Sequence, residues 1–208
     1  MISQKYMVNT DAGWMEAAHA AETFAIQASL GRRETLRLRL LMEETLGMVK
    51  TTLGDFYGQL WFTEDDGVCA IHFEATADMD ADKKIELLSV SSSGRNASAR
   101  GFMSRLGEFI SGVIHGFGTT LDVYGQETIR YGIVHTPNSM APNADMMPIW
   151  TLQTYKTDLE QASAKDRAAE HALEDLERSI VASLADDIVV GVRGDRVSMT
   201  ITKDFGNA

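Results

Sequence analysis

The chain has 208 residues, 44% of them hydrophobic and 24% charged, which is enough apolar material for one folded core and too much for a disordered chain. Its formal net charge of −11 opposes phosphate backbones and anionic membranes, so neither a nucleic acid nor a membrane is expected as a partner. No run reaches the roughly 18 apolar residues of a membrane span, the N-terminal stretch MISQKYMVNTD lacks the order of a signal peptide, and Cys69 stands alone.

These features read as a cytoplasmic chain forming a single domain over 1–208, with Cys69 a small buried apolar side chain. Residues 4–9 suit a short first strand. Thr10 or Asp11 can then cap a helix running to about Leu30, with Trp14, Ala17, Ala18, Ala21, Phe24 and Ala25 on its apolar face. Gly31 is expected to end that helix and Arg32–Arg33 to form a solvated turn.

Residues 36–49, LRLRLLMEETLGMV, carry the strongest periodic signal. Leu38, Leu41, Met42, Thr45, Leu46 and Val49 recur at the spacing of one buried helix face, and Gly54 closes the helix. The opening LRLRL also alternates as a strand does, but the longer pattern favours helix. Glu43 and Gly47 stand four apart beside the apolar stripe, one helical turn from each other.

Residues 60–63 and 68–75 read as two strands joined by Glu64, Asp65, Asp66 and Gly67, with Cys69, Ile71, Phe73 and Ala75 sharing the buried face. A Ser/Gly-rich loop follows at 91–101, then an amphipathic helix through Phe102, Leu106, Phe109, Ile110 and Val113. Two short strands fit within 121–135. The loop after them holds Pro137, Pro142 and Pro148, and 150–155 returns toward a sheet. Residues 89–157 as a whole read as an insertion or lid-equivalent region. A long helix is expected over 158–185, with Ala169, Leu173, Leu176, Ile180 and Leu184 on one face and Glu174 placed to meet Arg178. The chain closes on a hairpin, 188–192 and 197–201, across GVRGDRV.

Two stretches, 36–49 and the closing SIVASLADDIVVGVRGDRVSMTITKDF, resemble parts of the histidine-kinase-like (GHKL) ATPase fold, and most of all its anti-sigma-factor serine kinases. The resemblance implies an α+β fold, a two-layer α/β sandwich in which helices pack on one face of a mixed sheet. It also implies a nucleotide pocket at named positions. A catalytic Glu falls on Glu43, but the metal-holding Asn four residues later is Gly47, which has no side-chain oxygen to offer Mg²⁺. Glu44 points about 100° away around the helix and cannot stand in. The family's Asp-x-Gly-x-Gly turn, whose Asp recognises adenine, falls on Ala75 and Ala77. The glycines that open its last helix fall on Asp175 and Glu177, carboxylates where phosphate would have to bind.

The expectation is therefore a non-catalytic regulatory or protein-binding module on a degenerate scaffold of this type. It would have a protein partner or a homodimer surface on its helical layer and no cofactor. The alternative is an active ATP- and Mg-dependent serine/threonine kinase with a shifted site, using Glu43 as base and Asp78 or Asp80 as adenine acceptor.

Other patterns point nowhere sharper. His19, His72, His115, His135 and His171 have no mutual i, i+4 spacing, so no metal site is expected. HGFGTT at 115–120 and the 91–101 loop lack the phosphate-cradling glycine patterns. Arg95 and Arg100 give that loop a faint anion signal. The 11 methionines, Met146 and Met147 among them, read first as core filling and otherwise as an adaptable partner surface.

Overall fold

The structure is a computed structural model that describes residues 1–53, 56–77, 110, 133–134, 149–193 and 195–206. The described elements, in chain order, begin with β1 (Tyr6–Met7), α1 (Asp11–Gln27), α2 (Arg32–Leu53), β2 (Phe56–Asp65) and β3 (Val68–Ala77). They continue with β4 (Ile133–Val134), β5 (Ile149–Thr151), α3 (Leu152–Ala162), α4 (Arg167–Glu177), α5 (Ile180–Leu184), β6 (Asp187–Arg193) and β7 (Arg196–Asp204). The strands form one seven-stranded sheet in the order β1-β2-β3-β7-β6-β5-β4. Every described pairing is antiparallel, which corrects the expected mixed sheet. Two of these strands, β4 and β5, come from the 89–157 region and extend the same sheet.

Alternation along the strands creates one buried face. Leu60, Phe73, Met199, Val190 and Trp150 lie on it in successive strands, matched by register and no more than 4% exposed. All five described helices supply side chains to the core that covers this face. The molecule is thus α+β, with helices laid over one side of an antiparallel sheet. Among the described residues, no helix is long and apolar enough to cross a membrane.

The apolar stripe of α2 is buried as its spacing predicts. Leu38, Leu41, Met42, Thr45, Leu46 and Val49 are at most 2% exposed. Thr45 is tolerated there because its hydroxyl donates to the Leu41 carbonyl one turn back, at 2.6 Å. Thr10 caps α1 by accepting the Gly13 N–H at 3.2 Å.

The end of α1 differs from expectation. The helix stops at Gln27, and Ser29 takes the left-handed conformation at φ 59°. The Leu30 N–H bonds to Ala25 and the Ser29 N–H to Ile26, which together form a Schellman motif. Gly31 opens the next helix instead of ending the first, since its carbonyl accepts the Thr35 N–H at 2.9 Å. Arg32 and Arg33 are therefore the first residues of α2 and not a turn.

The β2–β3 hairpin is longer than its apolar alternation suggests, because Gly58 interrupts the pattern at an inward position. A Cβ on Gly58 would stand 2.8–2.9 Å from the Phe56 and Phe73 rings, so glycine makes room for their edge-to-face pair, with centroids 5.6 Å apart. The turn itself is two residues. Asp66 and Gly67 both have positive φ, 48° and 85°, the requirement of a type I′ turn. Cys69, Ile71, Phe73 and Ala75 point inward together.

The C-terminal half holds the largest correction: the expected helix over 158–185 is three helices. Its start lies earlier, because β5 ends at Thr151, whose hydroxyl accepts the Thr154 N–H at 3.1 Å and caps α3. Tyr155, expected near the sheet, is consequently on a helix, buried with Leu152 and Leu159. Asp166 accepts the Ala168 N–H at 2.8 Å and starts α4, and Ser179 accepts the Ala182 N–H at 3.3 Å and starts α5. Restarting at Ser179 shifts the helical phase, so Val181 is buried and Ile180 is 46% exposed. Ala169 and Leu176 are buried as expected, and Glu174 meets Arg178 at 3.5 Å. The closing hairpin is β6–β7.

Of the segments read from sequence, the 91–101 loop, most of the helix around Ile110, the 115–120 loop and the proline-containing loop lie outside the described residues. Ile110 itself is helical and buried.

Replacing Gly67 tests the hairpin turn, because a Cβ there would sit 2.9 Å from the Gly206 backbone at a φ that L-residues avoid. Gly67→Ala is expected to lower unfolding free energy by about 1–3 kcal/mol in urea titrations, with an unchanged m-value.

Candidate functional site

The pocket positions implied by the sequence begin on α2, which pairs with α1 as an antiparallel helical hairpin. Trp14 anchors the start of α1 by donating its indole N–H to the Val8 carbonyl at 2.7 Å. Lys50 lies over the Trp14 ring, 4.9 Å from its centroid, and 3.7 Å from the Asp11 carboxylate. Nearer the interhelical turn, Arg39 reaches two carboxylates. Its Nε donates to Glu43 at 2.8 Å and its Nη1 to Glu22 of α1 at 2.5 Å. These two hydrogen bonds, with the attraction of both charges, push the guanidinium still further above its ordinary value.

Glu43 therefore faces outward, paired within α2 with the arginine that reaches across to Glu22 of α1. Gly47 shares that outward face, and a Cβ built on it meets nothing within 4 Å. Packing does not demand glycine there. Glu44, one step around the helix, is half-buried.

The remaining positions lie elsewhere. Ala75 is buried on the inward face of β3, opposite Gly58 and Val197, and Ala77 closes that strand opposite Phe56. Asp175 and Glu177 lie on α4, which is continuous through both, so the backbone N–H groups around them are spent within the helix. Asp78 and Asp80, the shifted adenine acceptors, lie outside the described residues, as do Arg95 and Arg100.

A second cluster, absent from the sequence reading, occupies the sheet face turned away from the helices. Trp61 of β2 and His72 of β3 are register partners and stack with centroids 5.1 Å apart and planes 13° apart. Lys5, just before β1, places its Nζ 4.1 Å from the Trp61 centroid and 3.5 Å from Glu74. The two His72 ring nitrogens face the Thr63 hydroxyl at 2.8 Å and the Thr200 hydroxyl at 3.3 Å. Burial holds the His72 pKa below its ordinary 6.5, opposed in part by Glu74. Period-two alternation from the correctly read Ile71 and Phe73 places His72 on this face. What the sequence lacked was the register that sets Trp61 opposite it.

Each imidazole nitrogen in this cluster thus has a threonine hydroxyl as its neighbour. Among the described residues, no three of His, Cys, Asp and Glu come together in a way that could hold a metal ion. Cys69 is buried, and its thiol is pushed up to about 11 by that burial and by Glu64, so it carries little of the thiolate that a nucleophile needs.

Three measurements check this geometry. Gly47→Ala, an exposed helical glycine with open space around it, is expected to raise unfolding free energy by about 0.5–1 kcal/mol in urea titrations. His72 should titrate below 6.5 when its imidazole resonances are followed by NMR. Because the folded pKa lies below the unfolded one, stability from this group is complete above pH 6.5 and is lost as pH falls through the lower folded value. His72→Gln should flatten that limb of the stability–pH curve, and an unchanged curve would count against the assignment. No family model, curated protein or solved structure matches this chain, so the site is read from its own geometry.

Proposed function

We propose that this chain is a non-catalytic regulatory module that works through protein contact, built on a histidine-kinase-like ATPase scaffold whose nucleotide site has been lost. The observation that carries this reading is the state of Glu43. Its carboxylate is bonded to Arg39 one turn earlier on the same helix, and Arg39 is bonded in turn to Glu22 of α1, so the one acid matching the family's catalytic position is engaged by a guanidinium. A general base needs its carboxylate aimed at a substrate proton, and this one is aimed at a guanidinium.

Three further positions support the reading. Gly47 supplies no ligand for Mg²⁺, Ala75 supplies no acceptor for an adenine amino group, and the helix carrying Asp175 and Glu177 offers carboxylates where phosphate would bind. The α+β layering, with five described helices over one sheet face, is compatible with the scaffold and with a partner surface on the helical side.

Calorimetric titration of the folded chain with ATP, with and without Mg²⁺, tests the proposal. The expected result is no saturable heat, in the wild type and in Gly47→Asn alike, since restoring one ligand leaves the adenine and phosphate positions unfilled. Saturating, Mg-dependent heat that disappears in Glu43→Ala would establish the kinase reading instead.

A further inference from the structure

We infer that the outward face of the α1–α2 hairpin near its turn, formed by Ile26, Arg33, Leu36, Arg37 and Leu40, is a docking surface for an acidic amphipathic helix of a protein partner. This rests on the reading of the chain as a protein-binding module and gives that module its contact.

The ion pairs between the helices set the geometry. Eleven residues separate Asp11 from Glu22 on α1, and the same number separates their partners Arg39 and Lys50 on α2, so the two helices run level along this length. Carried one turn beyond the Glu22–Arg39 pair, that level sets Ile26 beside Thr35 and Leu36. Ile26 is 69% exposed, Leu36 56% and Leu40 39%, although the opposite side of α2 is fully buried. On α2 itself, Arg33, Leu36, Arg37 and Leu40 follow i, i+3, i+4 and i+7, which is one face. The surface is therefore apolar at its centre with arginines beside it.

Charge selects the occupant. In a chain of net charge −11, Arg33 and Arg37 enter no ion pair among the described residues, whereas Arg39 beneath them is neutralised by Glu22 and Glu43. Arg33 and Arg37 flank two leucines one turn apart, with Glu44 a further turn beyond Leu40, and this end of the face matches a helix with apolar residues at i and i+4 and carboxylates beside the arginines. An anionic bilayer is a poorer match. A surface-lying helix buries a long apolar face, and the other apolar residues of α2, Leu38, Leu41 and Met42, are already in the core. A second copy of the chain offers Glu170, Glu174 and Glu177 on α4, but Glu174 is already paired with Arg178.

The test is a selection of displayed helical peptides on the full chain. All peptides carry leucines at i, i+4 and i+7, with Glu flanks in one half of the library and Lys flanks in the other. Acidic-flanked peptides should be enriched. A selected peptide should lose about tenfold or more in affinity, read by fluorescence anisotropy, on Arg33→Glu/Arg37→Glu and on Leu36→Ser/Leu40→Ser. Circular dichroism melts confirm that both variants are folded. Added salt should weaken binding to the wild type.

Enrichment of the Lys-flanked half, or a selected peptide that binds both variants as it binds the wild type, overturns the assignment of this surface and leaves a binding module with its contact elsewhere. No enrichment of either half overturns it too, and the ATP titration then decides whether the module reading falls with it. Cosedimentation with phosphatidylserine vesicles that is lost in Arg33→Glu/Arg37→Glu would assign the surface to a membrane. Self-association lost in the same variant by sedimentation velocity would assign it to a second copy. Either result replaces the peptide partner.

Discussion

Side chains of a strand alternate between the two faces of a sheet, and in this protein all five described helices cover one of those faces. From Cys69 to Ala75 the odd-numbered residues of β3 point into the core, and both neighbouring strands must keep that phase. A slip of one residue would drive His72 and Glu74 beneath the helices and expel Phe73, so register is held by the cost of burying polar groups as much as by hydrogen bonds. The tight Asp66–Gly67 turn fixes the phase at one end of the pair. The N-terminal segment fixes it along the edge, where Ser3, Tyr6 and Val8 run beside β2.

The same constraint explains which parts of the fold the sequence revealed. Helix α2 was legible because the stripe from Leu38 to Val49 recurs at one period over several turns and is buried throughout. The two hairpins were legible because alternation and turn residues coincide. Two interior signals were hidden. Gly58 looks like a break in a strand, yet it is an inward position that two phenyl rings require to be small. The breaks between α3, α4 and α5 carry neither glycine nor proline. They arise where Asp166 and Ser179 find it better to cap a new helix than to continue an old one, a local choice that helical periodicity cannot display.

The candidate site was legible as residues and not as an arrangement. Sequence spacing set Glu43 and Gly47 on one helix face, and the structure keeps them there, facing outward. What spacing could not supply was the partner of Glu43, because Glu22 lies on another helix and meets Arg39 only once the two helices run level. Trp61 and His72 were missed for a related reason. Neither belongs to a linear motif, and their stacking exists only through the pairing of β2 with β3.

The faces of α2 divide the work of the helix. The buried stripe fixes the fold and tolerates little change. The flank holding Arg39 is exposed, and surface ion pairs of this kind add little to stability. The Arg39–Glu22 pair joins α1 to α2, and with Glu43 it compensates the charge of one arginine among several. That neutralisation leaves Arg33 and Arg37 as the cations available beside Leu36 and Leu40. Glu22, Arg39 and Glu43 on one flank, and Arg33 and Arg37 one to two turns earlier on α2, thus belong to one arrangement of charges.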